Sequence, residues 1–401
     1  MADVLYISYD GVLEPLGQSQ VLSYLERLGG SHQVHLLSFE KAGEWTKLEA
    51  RRRIESRIHA AGLHWHPRRY HKRPSALATA FDIAMGTLTG LWLIRRYRLG
   101  IVHARSYVPA AIALLLKRWL GVRFLFDMRS FWADERVDGG LWPPGGRMYR
   151  IAKWFEQRFL QDADCVVSLT KAAVDVMQKL PYLQKRMPRF EVITTCADLE
   201  LFRPADALST RSEAARPFTL GYVGSVGVWY LFDETLRFFQ LLRERIPDAR
   251  MHVLNRGQHS YIRERLAAAG VDAASVTLAE ADHQGVARAM QHMDAGAFLI
   301  KPAYSKIASA PTKLGEFLGC GVPCLGNSGV GDMAEILEED QVGIVLRDFS
   351  EAAMRKAAEA LLNLSRAPGI RERCRNVALN RFSLDQGVQS YARIYASLAD
   401  T

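Results

Sequence analysis

Short apolar runs of strand length alternate with amphipathic helical patterns along almost the whole chain, and this alternation limits the fold more than any other feature. A tight turn cannot join parallel strands, so a helical crossover is the expected connection between successive strands. The alternation therefore predicts the α/β class with doubly wound parallel sheets. The strand-like runs cover residues 5–8, 34–39, 63–66, 101–104, 124–128, 165–169, 192–194, 220–223, 251–254, 276–278, 296–300, 324–325 and 343–346.

The alternation lapses once, in the middle of the chain, which indicates two domains. A chain of 401 residues is also longer than one ordinary core supports. Between Pro204 and Pro217 the sequence is rich in alanine, serine and charged residues, as in an interdomain linker. Near the C-terminus, an apolar stripe that includes Tyr395 is expected to pack back on the first domain. The predicted parts are a Rossmann-like domain at 1–204, a linker at 205–217, a second Rossmann-like domain at 218–380 and a C-terminal helix at 381–401.

Residues 309–323 form a loop of small residues that leads directly into a short helix. A helix N-terminus offers unpaired backbone N–H groups and the positive end of the helix dipole, so it can hold a phosphate. Ser309 and Thr312 add hydroxyl donors, and Lys313 adds a positive charge. Glu316, about one turn further along, can accept two hydrogen bonds from a ribose diol. The pattern fits a nucleotide-sugar site, and it also fits an ordinary strand–helix connection in an α/β domain.

Positive charge is concentrated in one segment of a chain whose formal net charge is +9. Basic residues cluster between Arg51 and Arg73, and an apolar stretch at 75–94 follows them. Asp82, two glycines and three threonines interrupt this stretch, which argues against a transmembrane helix. We interpret the segment between Arg51 and Arg73 as a surface that docks on anionic lipid. The alternatives are a solvated basic face and a nucleic-acid surface, although no nucleic-acid-binding motif accompanies the charge.

The start of the chain and its cysteines bear on location and metal binding. A strand begins almost at Met1, without the basic and apolar regions of a secretory signal, so we expect a cytoplasmic protein. The five cysteines lack metal-binding spacing and lie mostly in apolar runs, which favours reduced, buried thiols. We therefore expect neither a metal ion nor another cofactor.

Several short motifs occur in a fixed order: YDG at 9–11, PLGQSQ at 15–20, FDMR at 126–129, WADE at 132–135, the segment 193–204, GYVGS at 221–225, PTKLGE at 311–316 and GVP at 321–323. In this order they resemble glycosyltransferase family 4, which has the GT-B fold, over nearly the whole chain. The resemblance implies two Rossmann-like domains facing a central cleft. It also implies transfer of a sugar from a nucleotide-sugar donor, with retention of anomeric configuration. The C-terminal domain would bind most of the donor and the N-terminal domain most of the acceptor.

The chain departs from the family pattern at three places. The family usually has two glutamates separated by seven residues, and Glu316 matches the second, but Ala308 occupies the position of the first. The Arg and Lys that usually clamp the donor diphosphate are missing after Gly224, where Ser225 follows. Arg129 stands where the family often has a histidine. The cations that can replace the diphosphate clamp from other loops are Arg256, Lys301, Lys306 and Lys313.

Negative charge develops on the diphosphate during the reaction, so these cations are candidate catalytic groups. A departing diphosphate gains negative charge, which positioned cations or N–H dipoles must stabilise. In the N-terminal domain, Asp134 or Glu135 can orient or deprotonate the acceptor hydroxyl, unless residues 134–136 form a solvated, self-paired loop. The candidate catalytic residues are Arg129, Asp134, Glu135 and Lys313, and the candidate donor-binding residues are Gly17, Gly224, Ser225, Arg256, Lys306, Ser309, Thr312, Lys313 and Glu316.

These features together predict a cytoplasmic glycosyltransferase, peripheral on the inner face of the membrane, that acts in cell-surface polysaccharide or glycolipid synthesis. Its partners would be a nucleotide-sugar, a glycan or lipid-linked acceptor and an anionic membrane, without nucleic acid. Three alternatives stay open: a transferase that uses a CMP-linked sugar, a nucleotide-sugar isomerase, and a non-catalytic protein that binds nucleotides or glycans. The oligomeric state does not follow from the sequence.

Overall fold

The structure is a computed structural model that describes residues 2–205 and 216–400. Contacts within the chain divide it into two compact units. The first unit comprises Met1–Thr194 together with Asp385–Thr401, and the second comprises Thr195–Leu384. Each unit contains one fully parallel sheet with helical crossovers, so the prediction of an α/β fold with two doubly wound sheets is confirmed.

The first unit is built on a seven-stranded sheet with the strand order β3-β2-β1-β4-β5-β6-β7. The chain runs outward from β1 to β3, returns to β4 beside β1, and then continues in the opposite direction to β7. The strand order therefore reverses between β1 and β4. The strands are β1 Asp3–Ser8, β2 Gln33–Glu40, β3 His64–Arg69, β4 Ile101–Arg105, β5 Arg123–Met128, β6 Cys165–Ser168 and β7 Arg189–Val192.

Helices connect these strands and cover both faces of the sheet. A π-helical turn at Gln18–Leu22 joins α1 to α2, and a 3-10 turn at Pro181–Leu183 precedes β7. The α-helices before residue 195 are α1 Pro15–Gly17, α2 Ser23–Leu28, α3 Ala42–Trp45, α4 Leu48–Ala60, α5 Ser75–Tyr97, α6 Tyr107–Leu120, α7 Trp132–Asp138, α8 Arg147–Asp162 and α9 Lys171–Gln178.

The reversal of strand order sorts the helices onto opposite faces of the sheet, because nearly all crossovers between parallel strands are right-handed. Helices α5, α6 and α8 cover one face. A Cβ atom at Gly86 of α5 would lie 2.5 Å from Ile112 of α6, so glycine permits this close packing. On the other face, Arg57 of α4 pairs with Glu26 of α2 at 2.8 Å. The basic helix α4 and the apolar helix α5 thus lie on different sides of the first unit.

The second unit is built on a six-stranded sheet with the strand order β10-β9-β8-β11-β12-β13, which reverses between β8 and β11. Phe317 of α13, fully buried, packs against this sheet beside Gly296 of β11. The elements are β8 Thr219–Val223, α10 Phe232–Arg245, β9 Arg250–Leu254, α11 His259–Ala268, β10 Val276–Ala279, α12 His283–Met290, β11 Ala295–Ala297, α13 Thr312–Gly319, β12 Cys324–Asn327, α14 Met333–Glu339, β13 Gly343–Leu346, α15 Glu351–Ser365 and α16 Ile370–Arg381, with 3-10 turns at Ala273–Ser275 and Tyr304–Ala308.

The first unit ends at Thr194, before the boundary predicted at residue 204. The reason is burial, since Leu199 and Phe202 join the core of the second unit. Arg375 fixes this segment by donating hydrogen bonds to the backbone oxygens of Leu199 and Phe202. Most of the predicted linker, 205–217, lies outside the described residues.

The last helix, α17 at Leu384–Ala399, belongs to the first unit. The hydroxyl oxygen of Tyr395 and the Nδ1 atom of the buried His103 share a hydrogen bond of 2.7 Å. Tyr391 packs edge-on against Tyr24 of α2, and Arg27 pairs with Asp385 at 3.0 Å. These contacts place α17 on the face of the sheet that α2 and α4 also cover.

Candidate active site

The reversal of strand order between β8 and β11 marks the first candidate site, in the second unit. In open α/β sheets the loops diverge at such a reversal and leave a crevice at the carboxyl ends of the strands. Gly224 and Ser225 follow β8, while Lys306 and Ser309 follow β11. Predicted donor-binding residues from distant parts of the sequence thus lie at one edge of one sheet.

Side chains from the end of β9 hold the loop that follows β8. Gly224 has a φ angle of 132°, a conformation that favours glycine. Asn255 Nδ2 donates to the Gly224 carbonyl oxygen at 2.8 Å. The Gln258 amide pairs with both backbone groups of Val226, accepting at 3.1 Å and donating at 3.0 Å. These bonds fix the backbone of the loop and leave Ser225 exposed.

Lys306 places a positive charge against the loop that follows β8. Its Nζ atom lies 3.8 Å from the centre of the Trp229 ring, a cation–π contact, and the residue is 7% exposed. A backbone hydrogen bond from Lys301 N to Trp229 O, at 2.8 Å, joins the same two loops. The family clamp is missing from the Trp229 loop, and here a lysine from another loop supplies a cation to it.

Helix α13 carries the remaining predicted residues of this edge. Pro311 occupies the N-cap position, and Thr312 is the first helical residue. Lys313 Nζ donates to Glu316 Oε2 at 2.6 Å, and the Glu316 side chain is 4% exposed. The residue predicted for the diol and the residue predicted for the phosphate are therefore partners in one ion pair.

Arg256 and Lys301 differ from Lys306 because both are exposed. Arg256 Nε lies 3.4 Å from Glu280, and more than half of each side chain is exposed. An exposed ion pair of this kind contributes little energy and leaves the arginine mobile. Lys306 is therefore the better-positioned replacement for the diphosphate clamp.

The reversal between β1 and β4 marks the second candidate site, in the first unit. Arg105, 6% exposed at the end of β4, donates from Nη1 to Asp10 Oδ2 at 2.9 Å. Ser106 follows with a φ angle of 71°, an uncommon value for a residue other than glycine. Gly17 packs against the turn that contains Asp10 and Gly11, since a Cβ atom at Gly17 would come within 2.0 Å of the Gly11 carbonyl oxygen.

Arg129 lies in a buried cluster of charged and aromatic residues beside this turn. Its Nη1 atom is 3.6 Å from Asp127 Oδ1, and its Nη2 donates to Gln20 at 3.4 Å. Burial would raise the pKa of Asp127, but the charge of Arg129 and the nearby His103 and Arg105 outweigh it and lower the pKa to about 2. Burial lowers the pKa of His103 itself. Asp127 is thus a carboxylate that holds the guanidinium of Arg129 in place.

Asp134 and Glu135 lie on helix α7, so the alternative of a solvated loop at 134–136 is wrong. Asp134 is buried and accepts hydrogen bonds from Tyr149 at 2.9 Å and from Lys153 at 3.0 Å. Lys153 also pairs with the buried Glu156. Both oxygens of Asp134 are therefore engaged in a buried network, and Glu135 is the more accessible of the two predicted carboxylates.

Four residues of these edges escaped sequence reasoning: Asp10, Arg105, Trp229 and Asn255. Asp10, Arg105 and Asn255 each follow a predicted strand, so position alone was a usable signal. Trp229 gave no such signal, because its role depends on contact with Lys306 from another loop.

Metal binding finds no support among the residues that the structure describes, where no group of three or more His, Cys, Asp or Glu side chains is arranged to hold an ion. All five cysteines are buried and free of disulfide bonds. Independence of metal stays a prediction.

The two doubly wound units, each with its candidate residues at a reversal of strand order, have the GT-B fold of the solved glycosyltransferases that the chain resembles. The family model described as a glycosyl transferase 4-like domain matches residues 18–182. The resemblance drawn from the sequence motifs is thereby confirmed. No curated protein sequence matches the chain.

Solved structures show the same fold at low sequence identity. Sucrose-phosphate synthase from Thermosynechococcus elongatus superposes with a TM-score of 0.70 at 13% identity, and the match covers 100% of both chains. HepE from Anabaena, in complex with UDP and glucose, gives 0.68 at 12%, covering 99% of this chain and 100% of that one. WaaG, a glycosyltransferase involved in lipopolysaccharide biosynthesis, gives 0.68 at 15%, covering 98% and 99%.

Proposed function

We propose that the protein transfers a sugar from a nucleotide-sugar held by the second unit to a hydroxyl group of a glycan or lipid-linked acceptor held by the first. The observation that carries this proposal is the position of Lys306, 3.8 Å above Trp229 at the strand reversal of the second unit. The aromatic ring fixes the position of the Lys306 ammonium group at this edge, where a diphosphate would meet a positive charge. The UDP complex of HepE supports a nucleoside diphosphate as part of the donor.

In this mechanism Lys306 and the backbone N–H groups at the start of α13 stabilise the diphosphate as the bond to the sugar breaks. Stabilisation of this kind is effective when the charged groups are fixed before the reaction, because they need no reorganisation. The hydrogen bonds of Asn255 and Gln258 to the neighbouring loop provide such fixation. Ser225, Ser309 and Thr312 add hydrogen-bond donors along the same edge.

Glu316 would accept the ribose hydroxyls, and Lys313 would orient its carboxylate. The 2.6 Å bond from Lys313 leaves the second carboxylate oxygen of Glu316 as an acceptor for the donor. Lys313 then contributes to binding mainly through Glu316. Direct contact of Lys313 with the phosphates stays part of the proposal.

In the first unit, Arg129 and Glu135 would contact the acceptor, with Glu135 orienting or deprotonating its hydroxyl group. We also propose retention of configuration, which requires no protein nucleophile, and a reaction without metal. The proposed setting is the cytoplasmic side of a membrane, in the synthesis of a cell-surface polysaccharide or glycolipid. The role of WaaG in lipopolysaccharide biosynthesis supports this setting.

A thermal-shift panel of UDP, GDP, CMP, TDP and ADP tests the donor class, because a ligand that binds the native state raises its stability by mass action. We expect one nucleoside diphosphate to raise the melting temperature clearly. A response to CMP alone would favour a CMP-linked donor. The matching nucleotide-sugar, incubated with protein and a lipid-linked acceptor fraction, should release free nucleotide. Conversion of the sugar without release of nucleotide would indicate an isomerase, and binding without conversion a non-catalytic protein.

A further inference from the structure

The outward stripe of α5 is apolar over most of the helix. Leu77, Phe81, Leu88 and Trp92 follow one another at spacings that place them on one side of the helix, and all four are more than half exposed, with Leu77 at 72%. The interior stripe packs on the sheet and on α6. A helix that buries one side and exposes apolar groups on the other is unusual in a protein surrounded only by water.

The neighbouring helices extend this stripe into a broader surface. Helix α6 packs against both α5 and α8 and carries Trp119, which is 59% exposed, in its last turn. On α8, Ile151 and Trp154 are each 50% exposed, with Phe155 beside them. We call the exposed apolar side chains of these three helices the outer helical surface, formed by Leu77, Phe81, Leu88, Trp92, Trp119, Met148, Ile151, Trp154 and Phe155.

The charges around the outer helical surface are almost all positive. Of the acidic residues on α5, α6 and α8, Asp82 and Glu156 are buried, and Asp162 pairs with Arg118 at 2.7 Å. The basic residues on the same helices or directly before α5 lie mostly in the open, at Lys72, Arg73, Arg95, Arg96, Arg118, Arg147, Arg150 and Arg158. An apolar surface bordered by arginines complements the headgroups and upper acyl chains of an anionic bilayer.

Helix α5 is long and apolar enough to cross a membrane by length and composition, but much of it is buried against the first unit. Asp82 anchors the helix to the first unit. Its carboxylate accepts a hydrogen bond from Tyr9 at 2.8 Å and lies 2.6 Å from His71 Nδ1. The helix therefore lies along the first unit with one side exposed, which suits contact with a membrane surface rather than passage through it.

We propose that the outer helical surface docks the first unit on an anionic lipid bilayer, with Phe81, Trp92, Trp119 and Trp154 inserted at the level of the headgroups. This inference deepens the proposed membrane location and shifts it away from the basic helix α4, which lies on the opposite face of the sheet. It does not depend on sugar transfer. Nucleotide binding by the second unit tests the transferase proposal separately.

The test is co-sedimentation of the full chain with vesicles of phosphatidylcholine containing phosphatidylglycerol, compared with pure phosphatidylcholine. We expect wild-type protein to bind the anionic vesicles and to bind the neutral ones more weakly. The triple variant Phe81→Ser, Trp92→Ser, Trp154→Ser should lose at least about tenfold in vesicle affinity, because three large apolar groups no longer leave water. The matched control Leu48→Ser, Met187→Ser, Tyr261→Ser replaces exposed apolar residues elsewhere and should bind like wild type. Nucleotide thermal shifts should be unchanged in both variants.

Brominated lipid provides a second readout that does not depend on a variant, since it should quench wild-type tryptophan fluorescence in anionic vesicles. Wild-type binding by the serine variant, or the absence of vesicle binding by wild-type protein, would overturn the proposal. So would loss of binding only in Arg68→Glu, Arg69→Glu, Lys72→Glu, Arg73→Glu, because docking would then be purely electrostatic. Self-association of wild-type protein that the serine variant abolishes, without vesicle binding, would instead identify an interface between two copies.

Discussion

At the strand reversal of the second unit, Lys306 lies 3.8 Å above the Trp229 ring, whereas at the reversal of the first unit Arg105 donates to Asp10 at 2.9 Å. The same sheet architecture thus holds a cation in two ways. The Trp229 ring brings no negative charge to Lys306, whereas the Asp10 carboxylate brings one to Arg105. Arg129 follows the second pattern, since it faces Asp127 in the interior.

This difference suits the two edges to different ligands. A cation positioned against an aromatic ring can attract a phosphorylated ligand, and it stabilises a leaving group most as that group departs. An edge of paired charges is nearly neutral overall, and its groups are fixed in direction by their partners. Such an edge suits the orientation of an uncharged hydroxyl group. The four predictions below test this contrast, beginning with the largest expected effect.

Asp127→Asn should destabilise the first unit by about 3–5 kcal/mol, because Arg129 would remain buried without its carboxylate. Urea unfolding followed by tryptophan fluorescence measures this, since every tryptophan except Trp229 lies in the first unit. Asp162→Asn is the matched control. It breaks an exposed pair with Arg118 in the same unit, so it should cost about 1 kcal/mol or less. Equal effects of the two variants would contradict the view that the buried pair organises this edge.

Lys306→Ala should lower turnover of the donor by about 10²–10³-fold, since a fixed donor to developing negative charge is removed. The melting temperature should change little by comparison, because a cation–π contact contributes about 0.5–2 kcal/mol. Steady-state kinetics with the donor identified by the nucleotide panel would measure the effect. Lys306→Arg should retain part of the activity, and Lys301→Ala, an exposed lysine nearby, should retain nearly all of it. Full activity of Lys306→Ala would mean that another group, such as Arg256, stabilises the leaving group.

Glu316→Gln should weaken nucleotide binding by about one to two decades, because a hydrogen bond to a charged acceptor contributes about 1.5–3 kcal/mol. Calorimetric titration with the nucleotide would measure the change in affinity. Glu338→Gln, which removes an exposed glutamate paired with Arg347, is the control and should bind nucleotide normally. Unchanged affinity of Glu316→Gln would reject the ribose role and leave the Lys313–Glu316 pair as a structural contact.

The fold was largely predictable from the sequence because parallel strands covered on both faces read as short apolar runs. The run predicted at 101–104 is β4, and the one predicted at 220–223 is nearly all of β8. The boundary at 204 was wrong because the burial of Phe202 in the second unit cannot be read from a lapse in periodicity.

The candidate site was less predictable, because its contacts join residues far apart in the sequence. Lys306 was identified by its charge, but nothing in the sequence indicates that it lies on Trp229. The predicted basic surface between Arg51 and Arg73 spans most of α4, all of β3 and the loop before α5. The membrane role of the basic segment itself stays a prediction.

The smallest expected effect concerns His35, a buried residue of β2. It tests whether acid lowers the stability of the first unit. Burial, together with His64 and His66, lowers the pKa of His35 from 6.5 to about 4. Between these values the unfolded chain binds a proton that the folded unit does not, so stability falls as pH decreases through this window. We expect a loss of about 2 kcal/mol from this residue between pH 7.5 and pH 5.

Comparison with His35→Phe isolates this contribution, because the variant keeps an aromatic ring beside Tyr97 but cannot be protonated. Urea unfolding at both pH values, followed by tryptophan fluorescence, would report on the first unit. The wild type should lose more stability than the variant by about that amount. Equal losses would show that His35 titrates normally. Acid sensitivity of the first unit would then have to come from groups other than His35.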